Sequence, residues 1–248
     1  MDAANFYTGL VADLYHPLKA HSFDAAPYQA FIEQWGEPAL ELGCGDGEPL
    51  LDLRAHGLEV EGVDSSADML ERCAREAQVR GLAVTLHHQR MEHLTLPRLY
   101  RSIFLAGPTL TLLPDDATAG QALQAIARHL HPEGRALVPV SEPAPTRPDA
   151  TGSIRQTTAS DKSVIRVTVI GARRDEETRT QVTTLRYERE KDGRTQRLDR
   201  DWTLHWYPRD VLAELVSAAG LTIDEVHGPN GQLVTETDTD VQLILKLR

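Results

Sequence analysis

Short apolar runs alternate with amphipathic stretches through the first 140 residues of the chain. The run Pro38-Ala39-Leu40 leading into Glu41, residues 58–64, Ala83–His87 and Arg135–Val140 read as strands, and residues 100–108 as a further strand with the loop at its carboxyl end. Between them, residues 50–56, 67–80 and 115–130 repeat apolar positions at helical spacing. Gly57 and Gly81 are stop signals for the first two, Ser66 is an N-cap for the second, and Asp115 or Asp116 caps the third. Strand–helix alternation of this kind predicts an α/β fold, a doubly wound and mostly parallel sheet. Two further strands, Leu221–Val226 and Val241–Leu247, bring it to seven strands, after a helix that opens at residues 207–212 and closes at Gly220.

Two segments depart from that rhythm. In residues 1–35, Phe6, Tyr7, Leu10, Val11, Leu14 and Tyr15 fall on one helical face, which predicts a helical lid in two pieces broken at Pro17. After Pro143, Pro145 and Pro148 the period becomes two: Val164–Ile170 and Thr180–Arg189 alternate, and Lys191-Asp192-Gly193 turns into Arg194–Tyr207. Three strands in an inserted antiparallel β layer follow from this. The expected organisation is a lid over 1–35, an α/β domain from 36–145 and 206–248, and an inserted subdomain over 146–205. On the last inserted strand, Leu198, Trp202, Leu204 and Trp206 share one face; Thr203, His205 and Tyr207 share the other. Such a layer either roofs a pocket or forms the surface of a homodimer.

Composition narrows the class. The formal net charge of −11 argues against a general nucleic-acid footprint. Residues 155–200 are locally basic, with 12 Lys and Arg against 8 Asp and Glu, as suits the solvated face of a sheet. No apolar run approaches the roughly 20 residues needed to span a bilayer, and the N-terminus lacks a basic-then-apolar signal, so a cytoplasmic protein with no membrane partner is expected. Cys44 and Cys73 make no disulfide framework. The ten histidines do not suggest a metal: the neighbours His87 and His88 point to opposite faces of a strand, and no third ligand accompanies His16, His21 or His93 at ligand-like spacing.

The chemistry gathers at Glu41-Leu42-Gly43-Cys44-Gly45-Asp46-Gly47, a strand running into three alternate glycines. Glycine permits positive φ and lets a ligand approach where a Cβ would obstruct it. Asp64 follows Gly43 by 21 residues at the end of the second strand, where a carboxylate can grip a ribose diol. Glu48 stands where the dinucleotide fingerprint needs its third glycine. Glu41 and Glu48 would repel a pyrophosphate but would accommodate an ammonium and a sulfonium, which disfavours nicotinamide cofactors.

These residues, with Val63-Asp64-Ser65-Ser66, Met69-Leu70 and the helix-to-strand turn Leu130-His131-Pro132-Glu133-Gly134-Arg135, resemble the class I S-adenosylmethionine-dependent methyltransferases over residues 37–142 and 203–248. The resemblance implies a Rossmann-like sheet and S-adenosyl-L-methionine as cofactor. It implies cofactor contacts from Glu41, Gly43, Cys44, Gly45, Asp64, Ser65 and Ala106, with Met69 against the adenine. Where the family commonly has an acid after the third strand, this chain has Arg90, so Gln89 or Glu92 is expected to stand in, with Met91 on the ring. Tyr7 and Tyr15 of the lid are candidates for the methionine end or the substrate. Thr109, with Gly107, Pro108 and Leu112, should border the transferring methyl at the carboxyl end of the fourth strand. The Ala106-Gly107-Pro108-Thr109 sequence there lacks the acid-or-Asn-Pro-Pro-aromatic motif of nucleic-acid amino-methylating enzymes. The expected function is methylation of a nitrogen or oxygen of a small metabolite; a cofactor-binding regulatory module is the alternative. If a base is needed, His205 is the first candidate, with Tyr207 beside it on the substrate side.

Overall fold

The short strand β1 (Ala39–Leu42) is buried along its length and sits at the centre of the sheet. The computed structural model describes residues 6–19, 24–147, 150–229, 231–235 and 238–248. His21 and Pro148, both part of the expectations above, lie outside the described residues. Strand β1 pairs in parallel with β2 (Val60–Asp64) on one side and β4 (Tyr100–Leu105) on the other. β3 (Thr85–His88) extends the sheet beyond β2, and β5 (Leu130–Ser141) extends it beyond β4. The C-terminal hairpin, β10 (Leu221–His227) and β11 (Asp240–Leu247), completes a seven-stranded order β3-β2-β1-β4-β5-β11-β10, with β11 antiparallel to both neighbours.

Helices cover both faces because the strands alternate buried apolar side chains to either side. Leu40 and Leu42 join the cluster formed with α5 (Asp116–His129) and α6 (Arg209–Ala218). Ala39 joins the opposite cluster, with α2 (Ala26–Trp35), α3 (Leu50–Ala55) and α4 (Ala67–Val79). The caps read from sequence hold: the Ser66 hydroxyl accepts from Met69 N at 3.2 Å and the Asp115 carboxylate from Thr118 N at 2.8 Å.

The residues after Ser141 form a second sheet of four strands, one more than the alternation predicted: β6 (Ile154–Thr158), β7 (Val164–Asp175), β8 (Thr180–Lys191) and β9 (Arg194–His205). β6 is short and mostly exposed, so it carries no alternation to read. The N-terminal helix α1 (Leu10–Lys19) runs through Pro17 and is not broken there. Its apolar face lies on the second sheet: Phe6, Val11 and Leu14 cluster with Ile165 and Tyr187. The segment is also tied to α4, where Gly9 N donates to Asp68 Oδ2 at 2.6 Å and the Ser66 hydroxyl to the Tyr7 carbonyl at 2.6 Å.

Candidate functional site

The order of strands reverses between β1 and β4, and loops leaving their carboxyl ends diverge there. A cavity of about 490 Å³ opens at this point. Its floor is the glycine turn after β1. Gly43 has φ 77°, and a Cβ there would lie 2.8 Å from Thr109 Cγ2; Gly45 has φ 53°, and a Cβ there would lie 3.4 Å from Met69 Cε. The turn is pinned by Asp64, whose Oδ2 accepts from Gly45 N and Oδ1 from Ser66 N, each at 2.8 Å. Asp64 therefore shapes the loop as well as facing the cavity.

Four carboxylates surround this turn. Glu41, on β1, is fully buried on the pleat face shared with Ala39, and neither carboxylate oxygen has a hydrogen-bond partner among the described residues. Burial first, then the charges of Asp64 and Asp46, pushes its carboxyl well above the usual carboxylate range. Burial raises Asp64 too, against the opposing pull of the Ser66 and Gly45 amides. Asp46 is raised by burial although His16 lies 3.4 Å away, and Glu48 by burial and by Asp46. All four carboxyls around the turn are raised, so nearby positive charge does not offset their burial. A cationic ligand would relieve each of them.

The lid side is aromatic. The Tyr7 and Tyr15 rings meet edge-on with centroids 5.3 Å apart, and Lys19 Nζ stands 5.0 Å from the Tyr15 ring centroid. Burial raises both phenols and keeps them neutral, and it lowers Lys19 although Asp46 pulls the other way. The far end is formed by Gln89, Arg90, Met91 and Glu92. Arg90 Nε donates to Glu92 Oε1 at 2.6 Å, while the Gln89 amide is taken up by the Thr95 backbone.

The roof comes from the second sheet, on the face opposite to the one expected for catalysis. Trp202 and Leu204 of β9 line the cavity together with Gln181 of β8, which pairs with Leu204. His205 points the other way. It is 3% exposed, its Nε2 bonds Asp116 Oδ1 at 2.9 Å, and it is not among the described residues of the cavity wall. The Tyr207 hydroxyl donates to the Leu110 carbonyl at 3.1 Å, also away from the cavity. The reason is physical: a roof over a largely apolar chamber is itself the apolar face of its strand. His205, on the other face, meets the N-terminal end of α5 instead.

Of the other residues expected at the site, Tyr7, Tyr15, Cys44, Ser65, Met69 and Ala106 border the cavity, as do Gly43, Gly45, Asp64, Thr109, Arg90, Met91 and Glu92. Glu41 lies behind the loop. Sequence reasoning missed Gln181, Trp202 and Lys19 as cavity residues. The Trp202–Leu204 alternation was the available signal. Gln181 gains its place from β8–β9 pairing, which no local pattern reveals. Its orientation is fixed by Arg174, which donates to the Gln181 amide oxygen at 3.3 Å and to the Pro143 carbonyl at 2.5 Å. Guanidinium has donors only, so the amide oxygen must face it and the NH₂ is turned away. Among the described residues, no three His, Cys, Asp or Glu side chains are grouped to hold a metal ion, and no helix is long and apolar enough to cross a membrane.

Comparison with known proteins gives this site a context. Residues 39–134 match the family model described as a methyltransferase domain. The chain is 30% identical over 140 residues to a dTDP-3-amino-3,6-dideoxy-alpha-D-glucopyranose N,N-dimethyltransferase of Streptomyces fradiae, covering 53% of each chain. It thus spans about half the length of that curated relative. Among solved structures, the CcbJ methyltransferase of Streptomyces caelestis superposes with a TM-score of 0.79 at 20% identity over 98% of both chains. A sugar N-methyltransferase from Streptoalloteichus superposes with a TM-score of 0.72 at 18% identity, over 97% of this chain and 94% of that one. At these identities the structural matches establish the shared fold.

Proposed function

We propose that this chain, whose residues 39–134 match a methyltransferase-domain model, is a class I S-adenosylmethionine-dependent methyltransferase that methylates the nitrogen of a small amine, an amino sugar being the acceptor class its relatives suggest. The observation that carries the reading is the asymmetry of the cavity. Its floor is a glycine turn with Glu48 and Asp64 on the cavity wall and Glu41 and Asp46 close behind it; its roof, from Gln181, Trp202 and Leu204, carries no ionisable group.

The floor fits the cofactor that the family implies. Asp64 and Glu48, raised acids on the cavity wall, match a ligand with an ammonium and a sulfonium, and Glu41 and Asp46 add to the negative field behind them. In this reading Asp64 would hold the ribose hydroxyls with its remaining lone pairs, Gly43 and Gly45 would admit the ligand against the backbone, and Met69, Met91 and the Arg90–Glu92 pair would border the adenine. When bound, the cofactor supplies a methyl group already activated on sulfur. What is left for the protein is alignment and exclusion of water. Tyr7 and Tyr15, held neutral, serve as hydrogen-bonding walls and as part of the cover. Gln181, with its NH₂ turned from Arg174, is placed to donate to an oxygen of the acceptor. A neutral amine attacks through its own lone pair and loses its proton afterwards, so it needs no base in the roof. The two cysteines are both free and buried, in keeping with a cytoplasmic setting.

The test is calorimetric titration with S-adenosylmethionine and S-adenosylhomocysteine. Mass spectrometry of dTDP-linked 3-amino-3,6-dideoxyglucose and simple alkyl amines, incubated with enzyme and cofactor, completes it. Micromolar cofactor binding and gain of a methyl on nitrogen are expected. Binding without turnover on any amine would favour a regulatory module, and no binding of either cofactor form would sink the reading.

A further inference from the structure

A second cavity of about 320 Å³ lies between α1 and the four-stranded sheet. It is continuous in lining with the first: Tyr7, Tyr15, Lys19 and Trp202 border both. The same sheet face roofs the two. Strand pairing sets Gln181 opposite Leu204, Thr183 opposite Trp202 and Tyr187 opposite Leu198, so side chains two apart along β8 and β9 run in one strip from the first cavity into the second. Along that strip the character changes. Gln181 stands over the first cavity, while Leu185, Tyr187, Val167 and Val169 wall the second. The floor of the second, Phe6, Val11 and Leu18 of the N-terminal segment, is likewise apolar.

We infer that the second cavity is a binding subsite for an apolar arm of the methyl acceptor, an aryl or alkyl group attached to the amine that reacts in the first cavity. The inference rests on the methyl-transfer reading of that first cavity. Three observations single out this occupant. The chamber adjoins the acceptor roof and no charged floor, so whatever enters it is an extension of the acceptor and not of the cationic cofactor. Its volume is about twice that of a cavity known to hold benzene dry, room for a bicyclic aryl group. Trp202, at the junction, has a buried indole N–H with no partner among the described residues. An ether or carbonyl oxygen joining arm to amine would satisfy that donor. The cations at the rim, Lys19 and Arg155, do not point to an anionic arm: Arg155 Nη2 donates to the Leu18 carbonyl at 2.9 Å, and Lys19 lies over the Tyr15 ring.

The experiment uses the full chain saturated with S-adenosylhomocysteine, titrated with methylammonium, benzylammonium and 1-naphthylmethylammonium. Affinity should rise at least tenfold from methyl to benzyl and again from benzyl to naphthyl. Leu185→Trp, which fills the chamber, should remove the second gain and leave methylammonium and S-adenosylhomocysteine affinities unchanged. Val169→Phe is the second filling variant, should Leu185→Trp not fold. Equal affinity for the three amines in the wild type, or a naphthyl gain that persists in a folded filling variant, overturns the subsite. Absence of S-adenosylhomocysteine binding in the wild type overturns the methyltransferase reading, and the subsite with it.

Discussion

At the scale of single residues, Asp64 is asked to do two things. One carboxylate accepts from Gly45 N and Ser66 N at 2.8 Å, and its free lone pairs face the cavity. Charge-assisted bonds of this kind contribute about 1.5–3 kcal/mol each. Asp64→Ala should therefore weaken S-adenosylmethionine binding by tenfold or more in a titration. Because the Gly45 amide loses its acceptor as well, the variant should also exchange that amide faster; affinity equal to wild type would remove Asp64 from the site. Gln181 offers a cleaner separation. Gln181→Glu keeps an oxygen for Arg174 but abolishes the NH₂ donor. With an amine acceptor in hand, KM for that acceptor should rise about tenfold while S-adenosylhomocysteine affinity stays constant. An unchanged KM would show that the amide serves only to hold the Pro143 segment through Arg174.

At the scale of elements, the inserted sheet is read through His205. The ring is buried, bonded to Asp116 at 2.9 Å and set edge-on to Tyr207 with centroids 4.9 Å apart. Asp116, at the start of α5, also holds Arg179 of the turn before β8. Burial works to raise the Asp116 carboxyl, but its bonds to Arg179 and His205 bring it below the usual range. This cluster docks the second sheet onto the start of α5. Its place makes His205 a stabilising residue outside the chemistry. His205→Ala should cost about 1–3 kcal/mol of stability, the usual loss for a buried hydrogen-bonding group, visible as a lower melting temperature. Turnover per folded site should stay within about twofold, since bases in transfer reactions contribute about 10²–10⁴-fold and their loss would stand out. A fall of that size would return His205 to the mechanism.

At the scale of the whole molecule, the acidic floor links stability to pH and to ligand. Glu41 titrates well above its ordinary value when folded, because it is buried beside Asp64 and Asp46. In the unfolded chain it returns to about 4.3. A carboxyl raised by folding costs nothing below the unfolded value; the cost grows as pH climbs from there toward the folded value. The ligand-free protein should therefore lose stability across that window, and Glu41→Gln, which carries no charge, should lose less. Scanning calorimetry from about pH 5.5 to about pH 8 would read this as a steeper decline of melting temperature in the wild type. Saturating S-adenosylmethionine should raise the wild-type melting temperature more at the alkaline end. Parallel pH curves for wild type and Glu41→Gln would mean that the buried carboxyl has its charge balanced within the protein.

Local order alone was enough for the α/β sheet, the glycine turn, Asp64 at the end of β2, the cap at Ser66 and a cap at Asp115 or Asp116, of which the structure uses Asp115. Each depends on interactions within a few residues or on a repeating period, which local order records. The family resemblance extended this to Met69 and the loop after β4. Which face of β9 looks inward is set by the packed fold. Period two separates Trp202 and Leu204 from His205, but it does not say which set meets a ligand and which meets α5. That choice comes from long-range contacts with α5 and the turn after β4. The same holds for Gln181, brought to the cavity by its pairing with Leu204, and for β6, which has no buried face to leave a pattern. It holds also for α1, whose apolar stripe was legible but whose partner, the second sheet, lies more than 140 residues along the chain. A stripe records that a face is buried; the surface that buries it is set by the fold.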